Sequence, residues 1–133
     1  MTTSKRSGVL LIDKPRGPSS AQVLAPLKRR FQFDKIGHAG TLDPMATGLL
    51  VVLVGAATRL ARFVEVGTKA YTGTFRFGLT TSSDDVTGEV LTNSGIVPAF
   101  AEVEHAVRSF TGTILQTPPT VSAVKVGGER SYK

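Results

Sequence analysis

The chain has 133 residues, no cysteine and only two histidines, His38 and His105, which excludes disulfides and thiolate metal sites and leaves a histidine-based metal site poorly supplied. No apolar run is long enough to span a bilayer, because "GLLVVLVGAA" is interrupted at Gly55 and soon followed by Arg59. The net charge of +6 is lopsided: residues 1–76 carry twelve Lys/Arg against four Asp/Glu, a balance of +8, and residues 77–133 carry four against six, a balance of −2. A basic half of this kind suits a phosphate backbone, although scattered surface lysines on a plain basic domain would give the same total. The opening "MTTSKRSGVLLIDK" has too short an apolar run for a signal peptide. One soluble, cytoplasmic domain is the simplest reading.

In chain order, "GVLLI" at 8–12 predicts a short buried strand, ended by "DKPRGPSS". Ser19 or Ser20 is placed to cap a helix running to about Phe31, with Val23, Leu24 and Leu27 inward. Pro26 is awkward there and predicts a kink. Residues 37–48, "GHAGTLDPMATG", read as a loop, and 49–54, "LLVVLV", as a central strand. A short helix over about 56–65 offers Leu60, Phe63 and Val64 to a core. "AYTGTFRFG", 70–78, alternates like a strand, with Tyr71, Gly73, Phe75 and Phe77 on one side. A polar loop at 80–88 and a short strand "EVLT" come next. Phe100, Val103, Val107 and Phe110 repeat at helical spacing over 99–110. "GTILQ" reads as a strand, "TPPT" as a turn, and "VSAVKVGGERSYK" as a strand, a Gly-Gly turn and a returning strand. Interspersed strands, helices and hairpin turns predict an α+β fold: a mixed, largely antiparallel sheet with flanking helices.

The chemistry concentrates in "GHAGTLDPMATG". The sequence holds no P-loop and no dinucleotide fingerprint. It does hold one carboxylate, Asp43, between glycines that admit close backbone approach, with Pro44 restricting the backbone immediately after it. Such an acid can act as a nucleophile or stabilise a cation at a sugar anomeric carbon. On spacing alone, an Asp that merely caps its own turn is the commoner case.

Five blocks together resemble the TruB family of pseudouridine synthases. "GHAGTLDPMATG" is similar to that family's catalytic loop, and "GVLLIDKPRGPSS" to its opening Asp-Lys-Pro segment. "GAATRLARF" resembles its helix start. "KAYTGTFRFGLTTSSDDVTG" resembles its Lys-x-Tyr strand and polar loop, and "QTPPTVSAVKVGGERSYK" its Gln-x-Pro-Pro block. The order is right across nearly the whole chain. The resemblance implies a pseudouridine synthase catalytic core and isomerisation of a uridine in the T-loop of tRNA (uridine-55) to pseudouridine. It implies no metal or nucleotide cofactor, since the chemistry needs a base taken out of its stack, a dry pocket with the loop as its floor, and one placed acid.

Residue by residue, the resemblance assigns Asp43 as the catalytic nucleophile, which attacks the target nucleotide or assists departure of the uracil, and Tyr71 as the residue that stacks on the flipped uracil and shares in proton transfer. His38 helps hold the opened RNA loop. Lys14, Lys69 and Lys125 become phosphate or structural contacts, and Asp85 contacts RNA or braces a basic side chain. "TTSSDD" departs from the family's usual Thr-Asp-Thr run. The family also carries a later strand whose arginine pairs with the catalytic aspartate, and a C-terminal PUA domain, neither of which lies within residues 1–133. The expectation is therefore an N-terminal part of a catalytic domain, inactive alone and inclined to pair with itself through exposed sheet edges. Two other readings share the residues: a guide-RNA-dependent relative, and a non-catalytic RNA-binding or tRNA-folding module.

Overall fold

The computed structural model describes residues 6–116, together with the backbone of two short strands at Lys125–Val126 and Glu129–Arg130. The chain divides into two units, Met1–Tyr71 and Thr72–Lys133.

The first unit is built on three antiparallel strands: β1 (Gly8–Lys14), β2 (Ile36–Ala39) and β3 (Gly48–Val54), in the order β1-β3-β2. The apolar run of β3 is central because it satisfies its backbone on both sides, pairing Gly8↔Val54 through Lys14↔Gly48 with β1 and His38↔Val52 with β2. Helix α1 (Ser20–Phe31) covers one face. Leu24 and Phe33 pack there with Leu50, Val52 and Val54, flanked by Leu10, Ile12, Val23, Ile36 and Leu42. The opposite face leaves Val9, Leu11 and Leu49 exposed.

Ser19 is the N-cap of α1: its hydroxyl accepts from Gln22 N at 3.3 Å, and Gln22 Oε1 accepts from Ser19 N at 2.7 Å. This reciprocal pair satisfies two otherwise orphaned donors. The helix runs on through Pro26 and does not end there. A proline at that position deletes only one intrahelical bond, and the buried Leu24 holds the helix on the sheet.

Four sequence expectations are corrected. Residues 36–39 are a strand and not part of a loop: Gly37 and His38 conceal the alternation, and β3 supplies the pairing. Residues 55–65 form a 3-10 turn (Gly55–Leu60) and a short helix α2 (Ala61–Glu65), but Leu60, Phe63 and Val64 stay exposed. Phe63 instead lies under the Arg62 guanidinium, 4.7 Å from its ring centre. Residues 70–77 are irregular, and Tyr71, Phe75 and Phe77 are exposed. An alternating sequence becomes a strand only when another strand takes its hydrogen bonds, and none among the described residues does. "GTILQ" is likewise irregular.

In the second unit, β4 (Leu79–Thr81) and β5 (Val90–Asn93) form an antiparallel hairpin with a register shift at Thr80/Thr81. Helix α3 (Phe100–Arg108) opens with Glu102 Oε2 accepting from Ala99 N at 2.8 Å. Its spacing is helical as expected, yet Phe100, Val107 and Phe110 are exposed and only Val103 is half-buried. β6 (Lys125–Val126) and β7 (Glu129–Arg130) pair antiparallel, as the Gly-Gly turn implies. "TPPT" lies outside the described residues. No helix among the described residues is long and apolar enough to cross a membrane.

Candidate active site

Asp43 sits in the loop that joins β2 to β3. Gly40 (φ 87°) and Gly48 (φ 111°) bound this loop, and both need the left-handed backbone that a side chain disfavours. Between them the main chain is held from two directions. On the near side, buried Ser20 pairs with both polar groups of Leu42. Leu42 N donates to Ser20 Oγ at 2.9 Å, and Ser20 Oγ donates to Leu42 O at 3.0 Å. On the far side, Gly17 N donates to Pro44 O at 2.7 Å. Lys14 Nζ donates to Ala46 O at 2.7 Å, Pro44 O at 3.3 Å and Pro15 O at 3.0 Å. The loop closes on itself through Ala46 N to Asp43 O at 3.0 Å.

Lys14 reaches this position because it ends β1 on the inward side of the alternation. It is 0% exposed, and its ammonium is surrounded by carbonyl oxygens. A buried cation is costly unless hydrogen-bonded, and here three carbonyls fill its three donors. Of the two roles expected for Lys14, the geometry is that of the structural contact, with no donor left for a phosphate.

The Asp43 carboxylate, by contrast, is exposed and has no hydrogen-bond or ion-pair partner among the described residues. The capping role that spacing alone favours is therefore absent. So is the expected burial of the loop: Leu42 turns inward to the core while Asp43 and Pro44 stand at its tip.

His38 lies on β2 with Nδ1 2.6 Å from Gly40 O. A carbonyl only accepts, so Nδ1 carries the proton in this contact. The ring borders a cavity of about 520 Å³ between α1 and β2, whose walls include Ala21, Leu24, Ile36 and Lys28. Lys69 Nζ donates to Glu65 O at 2.8 Å at the end of α2, while Glu65 Oε1 accepts from Gly40 N at 3.4 Å. These contacts bring Lys69 and His38 to the start of the Asp43 loop. Tyr71 is exposed and takes no ring contact among the described residues.

Asp85 belongs to the second unit, and its own loop occupies it. Its Oδ1 accepts from Thr87 Oγ1 at 2.6 Å, Ser83 Oγ at 2.7 Å and Thr87 N at 2.8 Å. The Thr87 hydroxyl above all, then the Ser83 hydroxyl and the Thr87 amide, hold its carboxyl below the usual range. It braces no basic side chain among the described residues. The Lys125 side chain lies outside them. Among those described, no group of His, Cys, Asp and Glu is clustered to hold a metal ion.

Sequence reasoning missed Gly17 and the real task of Ser20. The only signals were the "PRG" turn and the doubled serine.

The site thus presents a single acid on a braced loop at the edge of a basic unit. An acid held this way can attack or stabilise an electrophilic sugar or base, and a basic surface can meet a polyanion. The model of the TruB family pseudouridylate synthase N-terminal domain matches residues 28–133. The chain is 46% identical over 129 residues to the tRNA pseudouridine synthase B of Mycobacteroides abscessus, covering 96% of this chain and 43% of that protein. It is 51% identical to the Nocardia farcinica protein of the same name, with 94% and 41% covered. Among solved structures, the crystal structure of a Cbf5-Nop10-Gar1 complex matches with a TM-score of 0.56 and 30% identity, over 89% of this chain and 31% of that one. The chain belongs to the TruB family of pseudouridylate synthases, in the N-terminal part of the catalytic domain. It spans about two fifths of the length of these two curated relatives.

Proposed function

We propose that this chain carries the catalytic acid of a tRNA pseudouridine synthase that acts on the T-loop uridine, uridine-55. The observation that carries this reading is the state of Asp43: its backbone is fixed on both sides while its carboxylate is uncommitted.

In the isomerisation, the bond from uracil N1 to ribose C1′ breaks and a bond from C5 to C1′ forms. N1 gains a proton and C5 loses one, so mass and oxidation state are unchanged and no redox cofactor is consumed. Asp43 serves as the nucleophile that opens this sequence. The exposed Tyr71 ring stacks on the displaced uracil, and its hydroxyl shares in removing the C5 proton. His38 fills space beside the opened RNA loop. The exposed Lys28, Arg29, Arg30 and Lys69 meet phosphates. Unstacking the base costs about a few kcal/mol, which phosphate contacts and aromatic stacking offset. Lys14 acts only through the loop it holds, and Asp85 through the loop it shapes.

The Asp43 carboxylate has no cationic partner among the described residues, and the chain spans about two fifths of its relatives' length, so we expect residues 1–133 by themselves to turn over slowly or not at all. An anionic nucleophile works best beside a cation that keeps it ionised and oriented.

The test uses T-arm RNA tritiated at uracil C5, without guide RNA. Tritium release is measured for the 133-residue chain alone and after adding the C-terminal portion of the Nocardia farcinica relative as a separate chain. Release on addition supports the reading. Release that needs a guide RNA would move the chain to the guide-dependent branch. RNA binding with no release under any condition would make it a binding module.

A further inference from the structure

We propose that Ser20 is a positioning residue for Asp43. This rests on Asp43 being the reacting acid.

The two serines of "SS" have different tasks. Ser19 caps α1. Ser20, the next residue, is 2% exposed and turns its hydroxyl away from the helix onto the loop. One oxygen accepts from Leu42 N and donates to Leu42 O, at 2.9 and 3.0 Å. The carbonyl it grips belongs to the peptide bond that joins Leu42 to Asp43. Holding both polar groups of one residue fixes its two backbone dihedrals and the plane of the next peptide. That plane sets the direction in which the Asp43 side chain leaves the chain.

Lys14 and Gly17 cannot do this, because within the loop they bond only to carbonyls at Pro44 and Ala46, after Asp43. The Leu42 side chain packs on the core cluster, which limits its displacement but not its peptide rotation. Ser20 is thus the only described side chain that hydrogen-bonds to the main chain of Leu42, the residue immediately before Asp43. A nucleophile misplaced by about 1 Å loses on the order of 100-fold in rate. The acid itself need not touch Ser20 for this to hold.

The experiment compares Ser20→Ala with Ser19→Ala in the full chain. Amide exchange is read first. Ser20→Ala should speed exchange of the Leu42 amide by about tenfold or more, while Val52 and Leu53 in β3 stay protected. Ser19→Ala should speed the Gln22 amide and leave Leu42 unchanged. Turnover and T-arm RNA affinity are read second, with the added C-terminal portion of the Nocardia farcinica relative. Ser20→Ala should lower turnover by about 10- to 100-fold at unchanged affinity. Ser20→Thr, which restores the hydroxyl, should recover much of it, and Ser19→Ala should stay within about twofold of wild type. If Ser20→Ala does not fold, Ser20→Cys carries the same comparison with smaller changes. Unchanged Leu42 protection, or turnover of Ser20→Ala within about twofold of wild type, overturns the proposal. If the wild-type chain shows no turnover, the proposed activity is what fails, and Leu42 exchange alone decides whether Ser20 clamps the loop.

Discussion

Asp43 and Asp85 both stand in loops that join two antiparallel strands, β2 to β3 and β4 to β5, and the two loops are built in opposite ways. At Asp85 the carboxylate is the scaffold. Three donors converge on Oδ1, Thr81 Oγ1 donates to Asp85 O at 2.7 Å, and the neighbouring Asp84 is carried into the left-handed region at φ 58°. At Asp43 the scaffold comes from elsewhere: Ser20, Gly17 and Lys14 hold the main chain, and the carboxylate holds nothing. An acid that makes its own turn commits an oxygen to it, as Asp85 does with Oδ1. An acid whose turn is made by others keeps both oxygens for a substrate.

Removing the Asp43 charge should break this contrast most sharply. With the C-terminal portion of the Nocardia farcinica relative added, Asp43→Asn is expected to reduce tritium release from T-arm RNA by about 10³-fold or more, as for other lost nucleophiles. Its thermal midpoint and RNA affinity should barely move, because no structural bond is lost and the basic surface is intact. Near-normal turnover would take Asp43 out of the mechanism. A large drop in thermal midpoint would show that the carboxylate carries structure after all.

The next effect in size is on Lys14. Lys14→Met replaces the ammonium with an apolar end and strands three carbonyls around a fully buried position. Each bond to a charged group is worth roughly 1.5–3 kcal/mol, partly offset because a buried charge is also removed. We expect a net loss of about 3 kcal/mol, or about 100-fold in the folded ratio, by denaturant unfolding. A loss in RNA affinity with no loss in stability would instead return Lys14 to the phosphate contacts.

Much of this arrangement can be read in the sequence, and the limit is physical. β1, α1 and β3 are legible from apolar runs, a serine cap and period, because each buries a face within the first unit. The aromatic run at 70–77 and the α3 face have the right spacing but no packing partner among the described residues. Spacing says which side chains share a face, not what covers it. The resemblance marked Asp43, yet which groups hold its loop depends on contacts 22 to 32 residues apart, from Ser20 to Leu42 and from Lys14 to Ala46. No local pattern reports those. Lys14 shows the same limit: a lysine after an apolar strand looks solvated until its strand partner, Gly48, places it inside.

Salt sharpens the comparison between the two units. The basic side chains Lys28, Arg29, Arg30, Lys35, Arg59, Arg62 and Lys69 are all exposed in the first unit. If about four of them displace counterions from RNA, the log–log slope of affinity against salt is near −3. Affinity for T-arm RNA should then fall on the order of 60-fold between about 50 and 200 mM salt. Replacing Arg29 and Arg30 by Gln should make the slope shallower by about 1 to 2. A flat response would mean that this half of the chain does not carry the RNA contact.

The smallest expected effect is confined to the Asp85 loop and depends on pH. The Thr87 and Ser83 hydroxyls and the Thr87 amide lower the Asp85 pKa from its ordinary value of 3.8. A depressed carboxyl contributes stability that is complete above its unfolded pKa, about 3.9, and lost as pH falls through the lower folded value. Between about pH 7 and 5 the loop should therefore be unchanged. Below about pH 4 it should loosen, with the Thr87 amide losing its hydrogen-bonded temperature coefficient. The Leu42 amide is the internal control, because the Ser20 hydroxyl that binds it does not titrate. Its coefficient should hold through the same titration wherever the sheet remains folded. Asp85→Asn should mimic the acid state at neutral pH, since an amide oxygen is a weaker acceptor for the same three donors. If Leu42 loosens together with Thr87 while β3 stays protected, the Asp43 loop also leans on a carboxylate, and the contrast between the two aspartates fails.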